Sequence, residues 1–134
     1  MRHAFVARSV IAGLALLACA SVARAQTEEV RVDVPFAFKA GGTSFEPGQY
    51  TLRADDLNMT VELVPAHGRT YPLLVETRLG GTGLPPSEGR LVFDKVGDLR
   101  YLAEVWVPGM DGYLLMVTKG AHRHVHVKFG PHAS

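Results

Sequence analysis

Val30-Arg31-Val32-Asp33-Val34-Pro35-Phe36-Ala37-Phe38-Lys39 places an apolar side chain at every second position from Val30 to Phe38. A period of two belongs to a strand with one buried face, whereas an amphipathic helix would repeat every 3.6 residues. Pro35 has no N–H to give to a ladder, so it predicts an edge or a bulge in that strand.

The same alternation continues downstream. Ala40-Gly41-Gly42 turns the chain, and Glu46-Pro47-Gly48 turns it again before Tyr50, Leu52 and Ala54 share a face. Pro47 fixes one dihedral and Gly48 tolerates a positive φ, which predicts a type II turn. Asp55-Asp56-Leu57-Asn58 reads as a turn, and Met59, Val61 and Leu63 follow as the next strand. Further strands are expected over 70–79, 90–96, 99–107, 112–118 and 122–129. Gly80 to Gly89, with four glycines and two prolines, is the longest expected loop. Such short separators favour antiparallel pairing and leave no room for parallel crossovers. The expected fold is all-β: an antiparallel meander of about eight or nine short strands closing into a small sandwich or barrel. Leu114-Leu115-Met116-Val117 is apolar on both faces. It predicts a central strand packed on both sides, with an internal apolar pocket as the alternative.

Upstream of the strands, Arg2 and Arg8 precede the apolar run Val10 to Ala18, and Ala23-Arg24-Ala25 supplies a small-x-small cleavage site. This is the pattern of an export signal over residues 1–25, a signal helix that leaves Gln26 as the new N-terminus and residues 26–134 as one exported β-domain. Leu16-Leu17-Ala18-Cys19 also fits a lipobox, in which Cys19 would be lipidated and anchor the protein to a membrane of the envelope. The expected location is therefore periplasmic or extracellular, with an anchored lipoprotein as the alternative. Cys19 is the single cysteine of the 134 residues, so no disulfide is expected. Three of the 14 basic residues fall in the first 25. The remaining stretch thus carries 11 against 13 acidic residues, a net charge of −2 with histidines neutral. Nothing in that balance suits a nucleic-acid partner, and no segment after the signal has the length of a transmembrane helix.

Two blocks carry a resemblance. One is Val34-Pro35-Phe36 with Gly41-Gly42 and Pro47-Gly48-Gln49-Tyr50; the other is Leu91-Val92-Phe93 with Gly97-Asp98 and Tyr101-Leu102-Ala103-Glu104-Val105-Trp106. Together they resemble a family of small exported bacterial β-domain proteins of uncharacterised function. Ala37 stands where that family usually has a polar residue, and Asp94-Lys95 where it commonly has His-Arg. The resemblance implies an exported β-domain and assigns no catalytic residue.

One segment points to chemistry. His122, His124 and His126 alternate with Arg123, Val125 and Val127, which puts three imidazoles on one face of a terminal strand and the valines on the other. Neighbouring members are ~6.5–7 Å apart along the strand, so His124 with one neighbour can share an ion such as zinc or copper, completed from elsewhere by His67 or His132. A solvated polar face is the bland reading of the same pattern. Gly80-Gly81-Thr82-Gly83 lacks the lysine of a phosphate loop, and Asp55 to Asn58 lacks the glycine and glutamate of a calcium loop. No serine sits in a nucleophile elbow. The reading is an exported, non-enzymatic binding or scaffolding module of the envelope. Its alternatives are a periplasmic transition-metal protein using His122, His124 and His126, and a carrier of a small apolar ligand.

Overall fold

The computed structural model describes residues 27–80 and 88–130. The expected signal segment with Cys19, the cleavage site before Gln26, most of the 80–89 loop and His132 lie outside the described residues. Eleven strands follow one another: β1 (Thr27–Val34), β2 (Phe38–Ala40), β3 (Thr43–Phe45), β4 (Gly48–Asp55), β5 (Thr60–Pro65), β6 (Tyr71–Leu73), β7 (Thr77–Leu79), β8 (Gly89–Val96), β9 (Leu99–Trp106), β10 (Gly112–Leu114) and β11 (Arg123–Phe129). Among the described residues there is no helix, and none therefore that could cross a membrane.

The strands form two sheets that pack as a sandwich. One has the order β1-β4-β5-β6; the other has the order β11-β8-β9-β10-β7, with the β2–β3 hairpin joined to it through β9. Period-two patterning explains the packing. Val30, Val32 and Val34 from β1, Leu52 and Ala54 from β4, and Val61 and Leu63 from β5 are all buried and belong to one core. Leu91, Phe93, Leu102 and Val105 meet them from the second sheet.

The all-β expectation holds, and the count rises from eight or nine to eleven because two expected strands break at corners and a further short strand, β3, follows the Gly41-Gly42 turn. The 30–39 segment stops at Pro35: β1 stays in the first sheet, while β2 crosses to the second. The 70–79 segment divides likewise, with β6 in the first sheet and β7 in the second. Nor is the order a simple meander. β11 pairs with β8, not with its sequence neighbour β10, because both edges of β10 are already taken by β9 and β7. One contact is parallel, Lys39 of β2 beside Tyr101 of β9.

Two local expectations also change. Gly48 is not in the left-handed region; it opens β4 opposite Val34, and the turn before it is closed by the Tyr50 hydroxyl, which donates to the Glu46 carbonyl. The apolar run 114–117 leaves the ladder after Leu114. The Leu115 N–H is held by the Ala103 carbonyl at 2.7 Å, and Val117 is 63% exposed. Asp55 behaves as turn chemistry predicts, its Oδ1 accepting from the N–H groups of Leu57 and Asn58. Trp106 lies mostly buried, across the ladder from Gly112, where any Cβ would come within 2.4 Å of its ring.

A polar clasp ties the two sheets at the β4–β5 turn. The Tyr113 hydroxyl donates to Asp56 Oδ1 at 3.2 Å, and Arg78 Nη2 reaches the same oxygen at 3.1 Å. Burial, and then the negative charge of Asp56, push the Tyr113 phenol up to about 12. The folded value lies above the unfolded one. Its contribution to stability is therefore complete below about pH 10 and is lost as the pH climbs towards 12. Tyr113→Phe should lower stability by about 1 kcal/mol in urea unfolding. It should also abolish the last phenolate transition in an alkaline absorbance titration.

Candidate metal centre

β11 is the edge of the second sheet, and its alternation sorts the residues the sequence singled out. Val125 and Val127 pack against the core, so His124 and His126 project from the outer face. His122 precedes the strand by one residue, yet its ring stands edge-on to His124 with centroids 4.9 Å apart. The rings of His124 and His126 are 6.5 Å apart. The closer neighbour of His124 is therefore His122.

The third member comes from β8. Asp94 lies directly across the ladder from His124, and its Oδ1 is 2.9 Å from His124 Nδ1. The side chain of Asp94 is 4% exposed and that of His124 is 58% exposed. A carboxylate accepts only, so the imidazole donates through Nδ1 and leaves Nε2 as the lone pair. His122 is fixed the same way: Nδ1 donates to the Gly120 carbonyl at 2.9 Å, again freeing Nε2. Gly120 has φ +91°, a conformation that glycine adopts without a Cβ penalty. Holding one ring nitrogen with a carboxylate or carbonyl so that the other can ligate is the arrangement found behind metal-bound histidines.

One ligand atom from each of Asp94, His122 and His124 lies within 4.8 Å of the other two. Around a tetrahedral zinc with bonds of ~2.0–2.1 Å the ligands stand ~3.3 Å apart, a closure that small rotations of two accessible rings can supply. Two imidazole Nε2 ligands, one of them oriented from behind by Asp94, suit zinc or copper(II). His126 is outside this group. His67 is exposed in the turn after β5 and does not join it. Asp94 escaped the sequence reading because it follows Leu91-Val92-Phe93 and needs the β8–β11 register to be seen. The signal available in the sequence was a charged residue directly closing the apolar run Leu91-Val92-Phe93.

The outer face continues away from the site through Val92, which stands between His126 on β11 and Glu104 on β9. Glu104 Oε2 accepts from Trp106 Nε1 at 3.0 Å. Desolvation of the His126 ring, followed by the charge of the Arg90 guanidinium and the neighbouring His124 ring, holds its pKa below the ordinary histidine value.

Comparison with family models, with curated proteins and with solved structures finds no match to this chain.

In a proton NMR titration the His126 ring should therefore change charge below pH 6.5, and Arg90→Gln should move that midpoint upward. Because the folded value is the lower one, any stability linked to this ring is present above the unfolded pKa. It is lost as the pH falls through the folded one.

Proposed function

We propose that this chain is an exported, non-enzymatic binding module of the cell envelope whose ligand is a divalent transition metal, zinc or copper. The observation that carries the reading is the in-register contact of His124 with the buried Asp94, with the His122 ring set beside it. A buried carboxylate held against an accessible imidazole costs desolvation that a plain solvated strand has no need to bear. Export is supported by Arg2, Arg8, the apolar run and Ala23-Arg24-Ala25, with Cys19 as the anchoring alternative. No nucleophile elbow or phosphate loop in the sequence speaks for catalysis.

A second reading has one observation in its favour. Leu73, Leu74, Leu102, Leu115 and Met116, with the Gly41-Gly42 turn, line a pocket of about 440 Å3, a size that suits a small apolar ligand. Native mass spectrometry of the protein purified from its own envelope separates the two readings: a mass increment of a metal ion supports the first, that of an organic molecule the second.

Calorimetry with zinc and with copper(II) tests the metal reading directly. His124→Ala should remove nearly all affinity. His122→Ala and Asp94→Asn should each weaken binding by roughly 10–100-fold, as loss of a ligand or of its orienting partner does. His126→Ala should stay within about two-fold of the wild type, since its ring stands apart from the group. Equal, small losses across all four variants would mean unspecific imidazole binding and would end the proposal.

A further inference from the structure

The core-facing side of the second sheet ends in three cations set in one row. Arg123 of β11 lies directly opposite Lys95 of β8, and Lys95 lies directly opposite Arg100 of β9. Strand alternation puts them on the side of Val125, Phe93 and Leu102, which belong to or pack against the core, and so on the opposite side from His124 and Asp94. Adjacent strands are ~4.8 Å apart, so the three stems span ~10 Å. Like charges directly opposite one another on neighbouring strands repel. The pattern would ordinarily be relieved by a carboxylate. Among the described residues, none of the three takes part in an ion pair. Asp98, in the adjoining hairpin turn, is exposed and makes none either.

Arg100 is also positioned. Its guanidinium carbon lies 4.6 Å from the centroid of the Phe36 ring, and that ring stands edge-on to Phe93 at 4.9 Å. Its Nε is buried and has no hydrogen-bond partner. A guanidinium seated on an aromatic face is held in a fixed orientation and is pre-organised for a planar or tetrahedral oxyanion.

We infer that Arg123, Lys95 and Arg100 form a binding site for a phosphoryl-type oxyanion at the end of the sandwich. Lys95 supplies a central point charge, and the two guanidinium groups flank it with directional donors. The anion supplies the counter-charge that the fold omits. The site is independent of the metal centre, because it uses the other face of the same strands. A free phosphate and a phospholipid head group offer the same chemistry, and they differ in whether binding needs a bilayer.

The test uses the full chain in metal-free buffer of low ionic strength. Inorganic phosphate and pyrophosphate are titrated by calorimetry, with chloride at matched ionic strength as the control. Vesicles of phosphatidylcholine, with and without phosphatidylglycerol, are sedimented with the protein. The expected result is saturable oxyanion binding that Lys95→Gln and Arg100→Gln each weaken by about ten-fold or more, while Arg31→Gln, a cation on the first sheet, leaves it unchanged. Selective capture by phosphatidylglycerol vesicles that depends on the same residues identifies a lipid head group as the source; binding of phosphate in solution identifies the free anion. Thermal unfolding gives a second readout. Phosphate should raise the Tm of the wild type more than that of Lys95→Gln, and Lys95→Gln should unfold at a higher Tm than the wild type without phosphate, since it relieves repulsion. An equal response to chloride and phosphate, or equal losses in Arg31→Gln and Lys95→Gln, would overturn the assignment.

Discussion

The two sheets meet on the ring of Phe38. It stacks on Phe45, its cross-strand partner in the β2–β3 hairpin, and meets Tyr50 of the first sheet and Phe93 of the second edge-on, all with centroids 5.2–5.3 Å apart. From this ring the contacts run outward both ways, through Phe45 to Tyr71 on one side and through Phe93 to Phe36 and Arg100 on the other. Edge-to-face geometry is directional, so these rings fix the relative placement of the sheets as well as filling space. The hairpin can do this only because the chain leaves the first sheet at Pro35 and returns at Gly48. The corner at Pro35 is therefore a condition of the core, since it delivers Phe38 and Phe45 between layers that would otherwise meet across a gap.

With the layers fixed, β8 becomes the strand on which chemistry depends. Leu91 and Phe93 face the core, while Val92 and Asp94 are buried on the other side. A register shift against β9 between Val92 and Phe93 leaves Ala103 without a partner and sets Asp94 beside Tyr101. Asp94 is the one buried charged residue among the described residues, and the side chain that meets it is that of His124. The register of β8 and β11 thus decides two things at once. It supplies Asp94 with an imidazole on the outer face, and it aligns Lys95 with Arg123 on the inner one. A slip of one residue in β11 would exchange its faces, turning His124 and His126 toward the core and leaving Asp94 without its imidazole.

Much of this was legible in the sequence, and the remainder failed for identifiable reasons. Alternation found the strands, and Gly97-Asp98 and Asp55 to Asn58 marked real turns. Alternation is blind to corners, because apolar spacing can continue while the backbone passes from one sheet to the other; hence Pro35 read as an edge or a bulge and not as a crossing between sheets, and the division between Leu73 and Thr77 went unseen. The outward direction of His124 and His126 followed from parity alone. Their partner did not, since hydrogen bonding between β11 and β8 skips the two intervening strands, and no local rule chooses among free edges. Asp94 was hidden for that reason, and His67 and His132 stood in its place as candidates.

The position of β11 has a consequence for how the molecule comes into being. Its partner, β8, ends 27 residues before Arg123 begins the last strand, so one edge of the most deeply buried strand stays open until nearly the whole chain exists. Contacts that close such long loops form late and slowly. During that interval Asp94 and Val92 face water, and the unpaired edge of β8 is a template for any passing strand. A chain emerging N-terminus first would thus pass through a state with its first sheet complete and its second unsealed. In that state it is most prone to adhere to another copy, and docking of the histidine strand brings it to an end.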